Sequence, residues 1–229
     1  MPSSAHFTPQ VFEFLSELEA NNTRAWFEAN RERYLLYVKE PFLRFIADFA
    51  PQLGKLSRNY TADPRPVGGS FFRIHRDVRF SPDKSPYKTF AAAQFRHIQA
   101  KDVHAPGFYL HLQPGECFAG AGIWHPDGPT LSAIREALVE KPRRFDAAVA
   151  KPEFQRGWKL SGDSLQRPPR GFDPAHRLIN ELKRKDHVAV ARLTEDEICS
   201  PRFLASMATR YQATVPYIRF LTEAAGLPF

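Results

Sequence analysis

The feature that most constrains this chain is a change in hydrophobic period, from about 3.6 residues to 2 and back again. In the first third, Thr8-Pro9 opens a helix, with Val11, Phe14, Leu15 and Leu18 at helical spacing and a stop near Asn21-Asn22. Thr23 is placed to cap a second helix carrying Trp26, Phe27, Asn30, Arg33, Tyr34 and Tyr37. Pro41 opens a third, with Phe42, Phe45, Ile46, Phe49 and Leu53 on its apolar face, ending near Leu56. Residues 57–69 hold Asn59, Asp63-Pro64, Pro66 and Gly68-Gly69 and read as a loop. The middle third then alternates. Strands are expected over residues 70–76, 89–97, 107–113 and 116–124, the last two joined by a Pro114-Gly115 turn. Helical spacing returns over residues 129–140, 142–150, 174–185 and 201–225, the last interrupted at Pro216. Residues 154–170 read as loop-rich, with a short strand near Trp158-Lys159-Leu160. Residues 187–192 read as a further strand, and Thr194 caps a short helix. Helices, an antiparallel meander and helices again define the α+β class, expected as a single domain over residues 1–229.

Composition excludes several classes of protein. Of the 229 residues, 43% are hydrophobic and 25% charged, which is a globular balance and not a disordered one. No apolar run is long enough to span a bilayer, so no membrane association is expected. Met1 to His6 shows no basic region followed by an apolar core, and no secretory leader is expected. Cys117 and Cys199 are too few for a disulfide framework and lack zinc-site spacing. Two buried thiols in a reducing, cytoplasmic compartment are the economical reading. The eight histidines form no i, i+4 helical pair, and no metal or cofactor is assigned. No phosphate-binding glycine loop, dinucleotide fingerprint or nucleophile elbow is present.

The net charge of +7 directs attention to anions. Most cations are scattered, but residues 71–89, FFRIHRDVRFSPDKSPYKT, concentrate five of them: Arg73, Arg76, Arg79, Lys84 and Lys88. Asp77 and Asp83 are the two anions of this stretch, and Pro82 and Pro86 restrict its backbone. Arg offers a planar fork for phosphate or carboxylate and Lys a point charge. An anion-binding loop and a self-neutralised structural loop both fit this pattern.

The hairpin supplies a neighbouring surface. With Pro114-Gly115 at the turn, Leu112 faces Cys117, Leu110 faces Ala119 and Phe108 faces Ala121, forming the core side. Tyr109, His111 and Gln113 then share the other side with Phe118, Gly120 and Gly122. Two glycines on one face signal a close approach, either of a ligand or of another backbone. If Arg73 and His75 join Tyr109 and His111 there, a polar pocket results.

Four stretches resemble one family. They are Asn21-Asn22-Thr23-Arg24-Ala25-Trp26-Phe27 with Asn30-Arg31 and Tyr34, and Phe72-Arg73-Ile74-His75-Arg76-Asp77 continuing through Asp83-Lys84-Ser85-Pro86-Tyr87-Lys88-Thr89. The third is Gly107-Phe108-Tyr109-Leu110-His111 with Gly120, Gly122 and Trp124-His125-Pro126, and the fourth is Pro169-Arg170-Gly171-Phe172-Asp173. Together they resemble DUF2461, a conserved hypothetical family defined as a domain of unknown function. The resemblance implies a single-domain, cytoplasmic protein and no particular activity, cofactor or substrate. His75 stands where the family is associated with an aromatic residue, which argues against a catalytic role for it.

The functional expectation is binding of an anionic, phosphate-bearing small molecule through Arg73, Arg76, Arg79, Lys84 and Lys88 beside Tyr109 and His111. The alternatives are association with nucleic acid, where aromatics stack bases and cations hold the backbone, and a structural or partner-binding role without a ligand. Nucleic acid is the less favoured partner, because no basic run is present.

Overall fold

The computed structural model describes residues 5–99 and 104–229. Residues 1–4, which carry part of the leader expectation, lie outside the described residues.

The N-terminal layer is helical for the reasons the apolar spacing gives. Helix α1 (Gln10–Ala20) buries Val11, Phe12, Phe14, Leu15 and Leu18. Helix α2 (Arg24–Ala29) starts at Thr23, whose hydroxyl accepts the Trp26 N–H at 3.2 Å. Phe27 is buried and Trp26 packs partly exposed against the same core. The expected single helix through Tyr37 is broken at Asn30. Beyond it, α3 (Arg31–Tyr34) runs through a π-helical turn, Leu35–Lys39, into α4 (Glu40–Leu56). Pro41 therefore continues a helix and does not open one. It lacks an N–H and crowds the preceding turn, and the wider π turn just before it accommodates both defects.

Among the described residues the sheet has six strands in the order β1-β2-β3-β4-β6-β5, all antiparallel. They are β1 (Tyr60–Thr61), β2 (Ala91–His97), β3 (Gly107–Leu112), β4 (Cys117–Ile123), β5 (Lys159–Ser161) and β6 (His187–Leu193). The β3–β4 register is the expected one, with Leu110 opposite Ala119 and Phe108 opposite Ala121. Strand β1 lies inside the expected loop.

Residues 70–76, expected as a strand, form no regular one. They divide their hydrogen bonds between two partners. Phe72 N–H donates to Ala92 O and Gln94 N–H to Ser70 O, both at 2.9 Å. Farther along, Arg76 N–H donates to Pro86 O and Lys88 N–H to Ile74 O. The segment thus leaves the edge of β2 and folds into its own hairpin, whose tip spans residues 77–85. It also shields an edge that would otherwise expose unpaired backbone.

The C-terminal part adds α5 (Gly128–Glu140), α6 (Pro142–Val149), α7 (Pro152–Gly157), α8 (Ile179–Leu182), α9 (Glu195–Ile198) and α10 (Phe203–Ala224). Helix α7 occupies part of the stretch read as loop. The expected helix over 174–185 shrinks to α8, because side chains compete for its first backbone groups. Asp173 accepts the Ala175 N–H at 2.8 Å, and His176 Nδ1 accepts the Leu178 N–H at 3.1 Å. Helix α10 continues through Pro216. No helix among the described residues is long and apolar enough to cross a membrane.

One sheet face carries Ala93, Phe95, Phe108, Leu110, Ala119, Ala121, Ala189 and Ala191, all buried. The alanines let α10 approach closely, and aromatics from the helices fill the remaining space: Phe49 lies 5.0 Å from Phe95 and Tyr211 lies 5.0 Å from Phe108. Tyr211 also donates its hydroxyl to Tyr109 O at 2.7 Å, fixing the helix to the middle of β3. The opposite face carries Gln94, Tyr109, His111, Phe118, Gly120, Val188 and Val190, by the same alternation.

Candidate functional site

That opposite face is the floor of a cleft of about 640 Å³. Tyr109, Gly120, Gly122, Val188 and Val190 form the floor. Phe72, Lys88 and Phe90 of the 71–90 segment form one wall, with Trp124, Ser161 and Gly162 also lining it. Most of these groups are aromatic, aliphatic or glycine, so the cleft is largely apolar with few polar groups.

The two glycines have different causes. At Gly122, φ is +146°, and a Cβ would lie 2.1 Å from His187 O. Glycine is required there so that β4 and β6 can approach, which is a backbone role. A Cβ at Gly120 would lie 3.3 Å from Tyr109 Cβ, and the Tyr109 ring covers the position from the opposite strand.

Tyr109 belongs to a hydrogen-bonded chain along β3. Its hydroxyl lies 3.0 Å from His111 Nδ1, and His111 Nε2 lies 3.2 Å from Gln113 Oε1. His111 is packed between Phe90, at 4.5 Å, and Phe118, stacked at 4.6 Å. Burial disfavours the imidazolium and lowers the His111 pKa, with the Gln113 bond opposing this only in part. Burial also raises the pKa of Tyr109, so its phenol stays protonated.

The five cations of the 73–88 segment do not converge. Arg79 holds Asp77 through two bonds, at 2.9 and 2.7 Å. Arg76 pairs with Asp83, and Lys84 Nζ donates to Val78 O at 3.0 Å. Asp77 is lowered to about 2 by Arg79, and Asp83 to about 2 by Ser85 and then Arg76. These three cations are thus held within the hairpin tip. Lys88 alone lines the cleft. Its ammonium donates to Arg73 O at 3.0 Å and sits 5.3 Å from the Phe72 ring and 5.7 Å from that of Phe90. Burial, and then repulsion from Arg73, lower the Lys88 pKa. The exposed Arg73 side chain makes no hydrogen bond or ion pair among the described residues. It lines a second hollow of about 280 Å³, with Arg96, which shares Phe72 and Gln94 with the main cleft. His75 stays away from Tyr109 and His111 and packs on Tyr87 and Phe27.

Sequence patterns did not reveal Phe90, Trp124, Ser161, Val188 or Val190 as lining groups, nor the anchor behind Trp124. That anchor is Asp186, which is buried. One oxygen accepts His125 N–H at 2.7 Å and lies 2.8 Å from His125 Nδ1, and the other accepts Asp163 N–H at 3.0 Å. Burial alone would raise the Asp186 pKa, but the bonds from His125 and Asp163 outweigh it and lower the net value. His125 has a φ of +50°, an uncommon conformation for a residue with a Cβ, and Asp186 holds it there. Its ring stacks on Trp124 at 4.0 Å and so fixes that wall of the cleft. The sequence signals were the Trp124-His125-Pro126 stretch and an acidic residue placed directly before an alternating strand.

No curated protein matches the chain. The family model described as "Conserved hypothetical protein (DUF2461)" matches residues 10–220. The match covers the whole sheet and all but the last turn of the helical layers, and the chain belongs to that family.

Proposed function

We propose that the protein binds a small anionic molecule with a flat, largely apolar body, seated in the cleft on the open sheet face. The anionic end, a phosphate or a carboxylate, sits at Lys88 and Arg73. One observation carries this reading: Lys88, whose ammonium bonds to the Arg73 carbonyl, and the exposed Arg73 guanidinium stand beside the aromatic ring of Phe72, and neither forms an ion pair among the described residues. Like charges held together repel, and a bound anion relieves that cost. A concave apolar cleft with a few polar groups is the usual form of a small-molecule site.

The observations support a small molecule over nucleic acid, because the cleft is short and mostly apolar where a strand would need a long basic groove. Arg76, Arg79 and Lys84 bond within the hairpin tip, which supports a ligand site that does not include them. The test is a thermal-shift panel of aromatic phosphates, nucleotides, sugar phosphates and short oligonucleotides. Aromatic phosphates should raise the melting temperature, with Lys88→Met and Arg73→Ala removing the effect. Added salt should weaken it. Stabilisation by oligonucleotides alone would overturn the reading.

A further inference from the structure

The orientation of one hydroxyl proton narrows the class of ligand, on the basis of the cleft reading above. Neutral imidazole has one N–H and one bare nitrogen, and the group facing each nitrogen decides which is which. His111 Nε2 faces Gln113 Oε1, a carbonyl oxygen that can only accept. The proton is therefore on Nε2, and Nδ1 is bare. The partner of Nδ1 is the Tyr109 hydroxyl, which must donate to it. His111 stays neutral in this arrangement because it is buried between two phenyl rings.

The structure assigns Tyr109 as an acceptor toward the cleft: its one proton is committed to His111, so the ligand carries an O–H or N–H donor in addition to its anionic end. The donor is recognised through Tyr109 and the anion through Lys88. His111 and Gln113 are positioning residues that act through Tyr109. An aromatic acid or aromatic phosphate bearing a hydroxyl or amino group fits both requirements. A ligand offering only an acceptor at that point would face the lone pairs of Tyr109.

Two measurements test this. The first needs no ligand: ¹⁵N-detected NMR of the His111 ring should show a protonated Nε2 and a bare Nδ1. Protonation at Nδ1 would overturn the inference. The second compares 4-hydroxyphenyl phosphate with 4-methoxyphenyl phosphate by calorimetry. Wild type should prefer the hydroxyl compound by about fivefold, the worth of one hydrogen bond. Tyr109→Phe should bind the two alike, and Gln113→Leu should reduce the preference while still binding both. Equal binding to wild type would overturn the donor requirement and leave the cleft reading standing. Binding of neither compound would overturn both.

Discussion

His187 offers a sharp test of how the interior was built. It opens β6, is fully buried, and neither ring nitrogen has a hydrogen-bond partner among the described residues. Burial, with Arg184 and Arg135 adding repulsion, pushes its pKa down to about 3. An unfolded His titrates near 6.5, so below that pH the unfolded chain takes up a proton that the folded chain refuses. Stability is full above about pH 6.5 and falls as the pH drops toward about 3. At 1.36 kcal/mol per pH unit, the loss between pH 6.5 and 4 is about 3 kcal/mol. His187→Leu removes that term, together with a buried donor and acceptor worth roughly 1–3 kcal/mol when unpartnered. The assay is urea unfolding of both proteins from pH 7 to pH 4. The variant should match or exceed wild type at pH 7, and its advantage should widen by about 3 kcal/mol by pH 4. His111 also has a lowered pKa, but it titrates in both proteins and cancels in the difference. Parallel pH profiles would refute the argument.

Gly122→Ala should destabilise the protein by about 3 kcal/mol or more, because it combines an unfavourable φ with a clash against the β6 backbone, whereas Gly120→Ala should cost under about 1 kcal/mol. Chemical denaturation of the two variants checks the contrast. Arg79→Ala, which breaks an exposed pair at the hairpin tip, should leave the melting temperature and aromatic-phosphate binding unchanged. Phe27→Ala should lower both, since Phe27 is buried and stacks at 4.1 Å on Tyr87, the residue before Lys88. The stability loss should be about 3 kcal/mol by urea unfolding, and calorimetry should show weaker ligand binding.

The parts of the fold legible in the sequence were those decided locally. The Pro114-Gly115 turn fixes which β3 and β4 residues meet, so alternation separates Leu110 and Ala119 from Tyr109 and Gly120. Capping chemistry placed the start of α2 at Thr23 and of α9 at Thr194. Non-local decisions were hidden. Nothing near residue 187 says that β6 lies beside β4, and a two-residue β1 has too few residues to show a period. Residues 70–76 alternate as a strand does, yet two competing partners divide them. The site followed the same division. Lys88 and Tyr109 were visible as a cation and a sheet-face polar group. The aromatic walls were not, because Phe90 and Trp124 acquire their role only once the open face is known. The cation count was also incomplete as an argument, since Asp77 and Asp83 claim Arg79 and Arg76.

The central claim is that the open sheet face holds an anionic ligand. Backbone amide NMR during titration with 4-hydroxyphenyl phosphate tests it most directly. The account predicts saturable shifts at Gly120, Val190 and Lys88, lost in Lys88→Met and blocked when Val190→Phe fills the floor. Shifts confined to residues 76–85, or no saturable shifts at all, would contradict it.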